Sequence, residues 1–395
     1  MISTMSFSIR SPIKLLMVMI FPLASILSLF NRYSIRDNKV NSIVISLSIS
    51  IVAYAFIPYK ELDLASHYYS YLSIQDTYSI SDFRDKSFGL NSIFYMLSEF
   101  NLSFRLIPFI FVFLSIYSLL YVTHNVIIDN KSDKYHAFCF FCIICAFSFM
   151  NSANGLRNGL ASCLFIVCAY RYFHTNKFPW SLSTIAMLTH PYVVLPLLFS
   201  VLAKNLTTKS VYLTILVVSF FIYISDGAPI LGDVVLVTLF GHDMGSVISN
   251  VYLGNGRWGS GSTSNFFVFL FARLPYISLL FWLFFRFDMK NIWNRLSVLN
   301  LSVIIVFFDY SSISGRYIYL GTLVLLMSYF LKKDKMTITN YLARCFIVLS
   351  LLASVAWGVY QFRSVIIPAN IALVKPFVYT LFSNEGYSQI KGILE

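Results

Sequence analysis

Charged residues are scarce in this chain, at 12% of 395 residues. A soluble globular domain carries about 25%, so the composition argues against a chain of soluble domains. Acidic residues are the rarer kind, with 17 against 29 basic ones, which gives a net charge of +12. No basic tail, RNA-binding motif or zinc-ligand spacing accompanies this charge. We therefore expect no nucleic-acid partner.

Cysteines are also few, and the six present indicate no disulfide framework. Cys139, Cys142 and Cys145 have the C-x2-C-x2-C spacing of a metal or cluster site, but they lie in an unbroken apolar run. Small apolar packing residues are the better interpretation. No acidic pair has metal-site spacing either, so we expect no metal and no other cofactor.

Hydrophobic residues are abundant, at 58% of the chain with 39 Phe and 26 Tyr. A membrane-spanning helix needs about 20 mostly apolar residues. The sequence therefore predicts an all-α polytopic membrane protein, a single transmembrane domain over 1–395 that crosses the bilayer about 10–12 times. The first apolar run lacks the small-residue cleavage site of a signal peptide, so we expect it to remain as a helix. The apolar runs lie at 13–30, 41–58, 105–128, 136–150, 157–174, 210–225, 266–286, 296–310, 315–331 and 344–361.

Basic residues predict the orientation of these helices, because Lys and Arg are retained on the cytoplasmic side. Sixteen of the 29 basic residues fall in six loops that would then be cytoplasmic, and the N-terminus would be outside. This topology requires that 88–103 and 179–203 do not cross the membrane fully. The second of these segments should turn near His190 and Pro191. The predicted cytoplasmic loops are 31–40, 129–135, 171–178, 203–209, 286–295 and 332–344.

Three polar stretches on the predicted outer side are too long to be simple turns. They are a first periplasmic loop at 59–103, which includes the re-entrant segment, a large periplasmic loop at 226–265 and a C-terminal tail at 363–395. Loops of this length are usually functional or disordered. Their aromatic and apolar residues favour short helices, and 365–382 is apolar enough for an interfacial helix or an eleventh span.

Ionisable residues within the apolar runs or at their ends are the first candidates for a site, since burying a charge in a membrane costs several kcal/mol. Arg157, His190, Arg273, Asp309 and Arg316 have this placement, and most should lie at the outer face with Asp63. The structural alternatives are a snorkelling Arg273, an Asp309–Arg316 ion pair and a hydrogen-bonded core His190. Arg157 is harder to explain structurally, because small and amide residues surround it in Asn154-Gly155-Leu156-Arg157-Asn158-Gly159.

This Arg157 segment, with an apolar helix after it and His190 about thirty residues on, resembles the EpsG-like branch of the Wzy-type polysaccharide polymerases. Asp63-Leu64-x2-His67-Tyr68 is similar to the family's Asp-Leu-x-Arg-x-Tyr box, although Ser66 stands where an Arg is common. Gly315-Arg316-Tyr317 is similar to the family's later Arg-Tyr helix start. The resemblance spans roughly 50–330 and implies a GT-C-like fold.

The resemblance implies an enzyme that joins oligosaccharide repeat units carried on undecaprenyl diphosphate. The reaction would occur at the periplasmic face of the bacterial inner membrane. Arg157, Arg316 and Arg273 would bind the diphosphate, since a guanidinium forms bidentate hydrogen bonds with such groups. Asp63 or His190 would be the general base, and Arg157 would stabilise the developing charge. The remaining residues predicted to bind substrate are Tyr68, Tyr69, His67, Asp243, Arg257, Trp258 and Asp309.

Two other functions remain open. Another lipid-linked membrane glycosyltransferase, or an O-antigen ligase, would share these features and differ in its acceptor. A flippase or secondary transporter would also be polytopic and arginine-lined, but transporters usually carry internal repeats, and this sequence shows none. A chain-length regulator and a flippase are the expected protein partners of a polymerase.

Overall fold

Every regular element is helical in the computed structural model, which describes residues 16–20, 22–23, 38–57, 62–76, 88–129, 136–240, 266–331 and 338–382. The helices from residue 38 onward are α1 (Asn38–Tyr54), α2 (Asp63–Asp76), α3 (Phe88–Glu99), α4 (Leu106–Asp129), α5 (His136–Ala146), α6 (Phe149–Ala153), α7 (Arg157–Thr175), α8 (Trp180–Thr189), α9 (Val194–Asn205), α10 (Lys209–Ile224), α11 (Ala228–Phe240), α12 (Phe266–Arg286), α13 (Ile292–Val306), α14 (Ser311–Leu331), α15 (Ile338–Gln361), α16 (Arg363–Asn370) and α17 (Phe377–Phe382). Two 3-10 turns, Pro191–Val193 and Ile371–Leu373, complete the set.

Helices form at nine of the ten predicted apolar runs, and most of the first run lies outside the described residues. The run predicted at 136–150 is two helices, α5 and α6, and not one. The Ser148 side chain accepts a hydrogen bond from the Asn151 N–H, so it caps a new helix where the composition alone suggests continuity. The all-α polytopic membrane fold is confirmed.

Three helices of the described chain are long and apolar enough to cross a bilayer alone: Leu106–Ile128, Ser312–Leu331 and Tyr341–Gln361. A fourth candidate is the pair Lys209–Ile224 and Ala228–Val234, which is bent by 109° between its two helices. Several other apolar helices are shorter than a span requires. The figure of about ten crossings therefore stays a prediction.

The helices form two compact units. The first contains Met1–Cys168, Pro179–Val193 and Val359–Glu395, and the second contains Ala169–Phe178 and Val194–Gly358. In the first unit α4 packs against α1, α5 and α6, while α3 packs against α2 and α8. The resulting core includes fully buried Phe56, Leu64, Phe94 and Leu156.

Helix α16 also belongs to this core. Its buried side chains Val365, Ile366 and Ala369 pack in the same hydrophobic cluster as Leu64 and Leu156. The tail predicted as an interfacial helix or an eleventh span is broken at Ile371–Leu373 and again before Phe377. It is therefore not one continuous helix.

The second unit is built around α13, nearly all of whose residues are buried. This helix packs against α9, α10 and α14, and α14 packs against α12. Gly321 of α14 permits the close packing, because a β-carbon there would stand 2.5 Å from Asn300 Nδ2 and 2.6 Å from Tyr276 Cε2. Asn300 in turn donates a hydrogen bond of 2.9 Å from Nδ2 to the Tyr317 carbonyl.

Candidate functional site

The turn between α6 and α7 forms the base of the site in the first unit. Leu156 has φ of 35°, in the left-handed region that non-glycine residues rarely adopt, and its side chain is fully buried. Such a conformation costs on the order of 1–3 kcal/mol and persists only where surrounding packing imposes it. Arg157, the next residue, begins α7 and is half-buried. The turn thus fixes where the arginine starts its helix.

Helix α2 is held against this turn by a long-range hydrogen bond. The backbone N–H of Leu64 donates to Asn154 Oδ1 at 2.9 Å, across 90 residues of sequence. Leu64 is fully buried, so this bond satisfies an N–H that water cannot reach. Asp63 immediately precedes Leu64 and begins α2, so this half-buried residue follows the chain into the same contact.

His67, one helical turn after Asp63, lies near Arg157. Burial of the imidazole and the positive charge of Arg157 together lower the pKa of His67 from 6.5 to about 4. Its ring also packs against Phe94, with a centroid distance of 6.4 Å. His67 is therefore neutral at pH 7, and Arg157 supplies the positive charge of this pair.

The two tyrosines after His67 have different environments. Tyr68 packs against Phe104 with ring centroids 5.2 Å apart, and it stacks on Tyr71 at 6.5 Å. The pKa of Tyr68 is raised because the side chain is partly buried, and the charge of Arg105 opposes this shift only in part. The Tyr69 hydroxyl is buried and makes no hydrogen bond within the described part of the chain. An unsatisfied hydroxyl of this kind is suited to a polar ligand.

His190 lies at a break between α8 and the 3-10 turn. It has extended backbone, with φ of −158° and ψ of 124°, as expected for a residue before proline. The Tyr192 backbone N–H donates to His190 Nδ1 at 3.3 Å, and the two rings meet edge to face at 5.1 Å. Helix α8 therefore ends where the sequence predicts a turn, and the prediction that 179–203 does not cross the membrane fully stays a prediction.

Tyr192 connects this break to the first turns of α7. Its hydroxyl forms a hydrogen bond with Ser162 Oγ and donates to the Asn158 carbonyl at 3.4 Å. Asn158 directly follows Arg157, so His190 and Arg157 approach the same end of α7. The structure thus places His67 near Arg157, the start of α2 beside the turn before α7, and His190 in contact with α7 through Tyr192.

Sequence reasoning missed Asn154 as the partner of α2 and did not single out Tyr192. For Tyr192 the available signal was its place in His190-Pro191-Tyr192, two residues after a predicted site residue. Nothing local indicates that the Asn154 amide reaches a backbone group 90 residues earlier.

Three other predicted site residues lie in the second unit. The guanidinium of Arg273, which is 8% exposed, donates from Nη2 to Ser314 Oγ at 3.2 Å and lies 5.6 Å from the Phe308 ring centroid. This burial argues against a snorkelling side chain. Arg316 is half-buried in the second turn of α14, and Asp309 is exposed in the preceding turn.

Asp309 belongs to a small acidic group. The pKa of Tyr310 is raised by burial, and further by the nearby carboxylates of Asp226 and Asp309. Three of the predicted substrate-binding residues, Asp243, Arg257 and Trp258, lie outside the described residues. No group of three or more His, Cys, Asp or Glu side chains in the described part of the chain could hold a metal ion.

The sequence matches the model of a known family. The model of the EpsG family covers residues 60–368, which is more than half of the chain and includes every predicted site residue. No curated protein and no solved structure matches the chain significantly.

Proposed function

Because the chain belongs to the EpsG family, we propose that it is a Wzy-type polysaccharide polymerase of the bacterial inner membrane. The family has a polymerase-like role in polysaccharide biosynthesis, and this member is a multi-pass membrane protein. In the proposed reaction, a growing glycan is transferred from undecaprenyl diphosphate onto a lipid-linked repeat unit at the periplasmic face. The product is an O-antigen or capsule-type polymer.

The observation that carries this proposal is Arg157 at the start of α7. A helix N-terminus has positive dipole character, so a cation there is disfavoured by about 0.3–1 kcal/mol. The strained Leu156 before it adds a second unfavourable feature at the same turn. A bound anion offsets the electrostatic cost, since it is attracted by the helix end and by the guanidinium, while the strained turn fixes where that helix end lies. The diphosphate of the lipid carrier is an anion of this kind, and its oxygens can accept both hydrogen bonds of a guanidinium fork.

The reaction needs one nucleophile, one leaving group and one base. A hydroxyl oxygen of the acceptor sugar attacks the anomeric carbon of the donor glycan. A new C–O bond forms as the bond from that carbon to the diphosphate breaks, and the diphosphate leaves with the bonding electrons. The hydroxyl proton passes to a base, for which Asp63 is the first candidate and His190 the second.

The remaining predicted residues have supporting roles. Arg157 stabilises charge that develops on the diphosphate oxygen as it leaves. Arg273 and Arg316 are proposed to contribute to diphosphate binding. Tyr68, Tyr69 and His67 are proposed to contact the sugars, because aromatic faces and hydroxyl groups suit carbohydrate rings.

Deletion of the gene and complementation with variants test the proposal. A polymerase deletion should leave each acceptor capped by a single repeat unit on a polysaccharide gel. A ligase deletion would instead accumulate unattached polymer on lipid, and a flippase deletion would trap single units at the cytoplasmic face. A full ladder of long chains in the deletion strain would contradict the proposal.

Asp63→Asn tests the base in the same strain. It should reproduce the single-repeat phenotype while protein remains at its normal level in the membrane. Glu99→Gln is the matched control, since Glu99 is an exposed carboxylate at the end of α3 in the same unit. A full ladder with Asp63→Asn would exclude Asp63 as the base.

A further inference from the structure

The hydrogen bond between Tyr192 and His190 determines which imidazole nitrogen carries the proton. The Tyr192 N–H donates to His190 Nδ1 at 3.3 Å. A ring nitrogen that accepts a hydrogen bond presents a lone pair and has no proton of its own. Neutral His190 therefore carries its proton on Nε2, and Nε2 is a hydrogen-bond donor.

The surrounding structure holds this arrangement in place. Pro191 keeps His190 extended and ends α8, which turns the next backbone N–H toward the imidazole. The Tyr192 hydroxyl is anchored on α7 through Ser162 and the Asn158 carbonyl. The edge-to-face contact of the two rings, at 5.1 Å, limits rotation of the imidazole.

A histidine in this state is poorly suited to be the general base. Its one lone pair is engaged by Tyr192, and the opposite nitrogen already has a proton. We propose that His190 donates a hydrogen bond from Nε2 to an oxygen of the lipid-linked diphosphate, and that Tyr192 is the positioning residue that sets this tautomer. This inference rests on the proposed function, and it assigns His190 to the leaving group instead of the acceptor.

The neighbouring groups support an anionic ligand. Arg157 can only donate hydrogen bonds, and Tyr192 reaches the residue that follows it. A guanidinium on α7 and an imidazole N–H connected to the same helix through Tyr192 suit a ligand that only accepts, such as a diphosphate. The hydrogen bond strengthens as the diphosphate gains charge, and the proton stays on Nε2 throughout. The proton of the acceptor hydroxyl therefore passes to another group, for which Asp63 at the start of α2 is the first candidate.

Two substitutions at His190 distinguish a donor from a base. The amide nitrogen of His190→Gln can reach the position of Nε2, whereas that of His190→Asn reaches only the position of Nδ1. The full-length protein, purified in detergent, is assayed for binding of undecaprenyl diphosphate and for polymerisation of lipid-linked repeats extracted from the deletion strain. His190→Gln should lose only about threefold in both assays, because its amide N–H partly replaces that of Nε2. His190→Asn should lose about 10–100-fold in both, as expected for one hydrogen bond to a charged group.

A different pattern of losses would contradict the proposal. If Gln and Asn both abolish polymerisation while undecaprenyl diphosphate binds normally, His190 is the base and the proposal is wrong. If the wild-type protein does not lengthen lipid-linked repeats, the polymerase function itself fails. These two failures are distinguishable because only the second affects the wild type. Melting temperatures of the variants confirm that each protein is folded.

A double substitution tests the role of Tyr192. Tyr192→Phe keeps the backbone N–H but loses the anchor to α7, so it should weaken undecaprenyl diphosphate binding about threefold to tenfold. If Tyr192 acts through His190, the same change should have no further effect in the His190→Asn background. Additive losses would show that Tyr192 does not act through His190 and would overturn its assignment.

Discussion

Gly159 of α7 lies directly against Ser152 of α6: a β-carbon built on the glycine would stand 2.6 Å from the Ser152 Cα. The Ser152 backbone cannot move away from the added β-carbon as easily as a flexible side chain could. We expect Gly159→Ala to separate α6 from α7, lower the free energy of unfolding by about 1–3 kcal/mol and displace Arg157. Melting temperature in detergent and polymer length in the complemented strain measure the two effects.

Gly358→Ala is the control for that substitution. A β-carbon on Gly358 of α15 would meet no atom within 4 Å. Alanine is a better helix former than glycine by roughly 0.8–1 kcal/mol, so this variant should be as stable as the wild type or slightly more stable. The same melting temperature for both variants would mean that the contact between α6 and α7 is not needed.

Arg157→Lys retains the charge but loses the planar fork that binds two phosphate oxygens. We expect it to reduce polymerisation at least about tenfold, nearly as much as Arg157→Ala, because bidentate pairs are the stronger ones. Arg171→Lys, an exposed position on the same helix, should remain active. Full activity of Arg157→Lys would indicate that the site needs only a point charge at this position.

We expect Asn154 to stabilise the contact between α2 and the turn before α7 only through the hydrogen bond that its side-chain oxygen accepts. Asn154→Ala leaves the buried Leu64 N–H without an acceptor, which costs about 1–3 kcal/mol. Asn154→Asp retains an acceptor at the same position and should be the milder change in both stability and activity. Equal melting temperatures for Asn154→Asp and Asn154→Ala would contradict this role of the side-chain oxygen.

The lowered pKa of His67 predicts a pH-dependent stability. The native pKa is about 4 and the ordinary value 6.5, so on acidification the unfolded chain binds the proton first. The free energy of unfolding should therefore fall between about pH 6.5 and 4, by at most about 3 kcal/mol, and should not depend on this group at higher pH. In thermal unfolding across this range, His67→Gln should show a shallower fall. Identical slopes for variant and wild type would rule out His67 as the cause.

The predicted topology can be tested within the first unit. Ser66 and Ser181 are exposed, and the distribution of basic residues predicts the first outside and the second near the cytoplasm. A membrane-impermeant thiol reagent should label Ser66→Cys in intact spheroplasts and Ser181→Cys only after lysis. Background should be low, because the native cysteines are buried or half-buried. Labelling of Ser181→Cys from outside would contradict the topology.

Sequence patterns predict the parts of this protein that depend on local chemistry. Apolar runs indicate the helices, and the steric effect of Pro191 on His190 indicates the break before it. The division at Ser148 is harder to predict, because one serine hydroxyl redirects an otherwise continuous apolar run. The composition of residues 136–150 alone favours a single helix.

The candidate site depends more on contacts that are distant in sequence. Arg157 and His67 stand out as ionisable residues in family-like motifs. Their proximity depends on Asn154, which reaches Leu64 across 90 residues. The strained Leu156 has no local signal at all, since leucine is an ordinary helix and core residue. Such a conformation is imposed by packing and cannot be read from composition.

The place of α16 in the core has a consequence for the synthesis of this protein. Leu156 precedes Arg157 and fixes where its helix starts. It packs in one cluster with Val365, Ile366 and Ala369. A ribosome makes those three residues long after α7 has entered the membrane. We expect a chain stopped after Gln361 to insert but to bind undecaprenyl diphosphate poorly compared with the full-length protein. The arginine would then become competent only after α16 has been made, and a chain that still lacks this helix would not yet hold the lipid carrier.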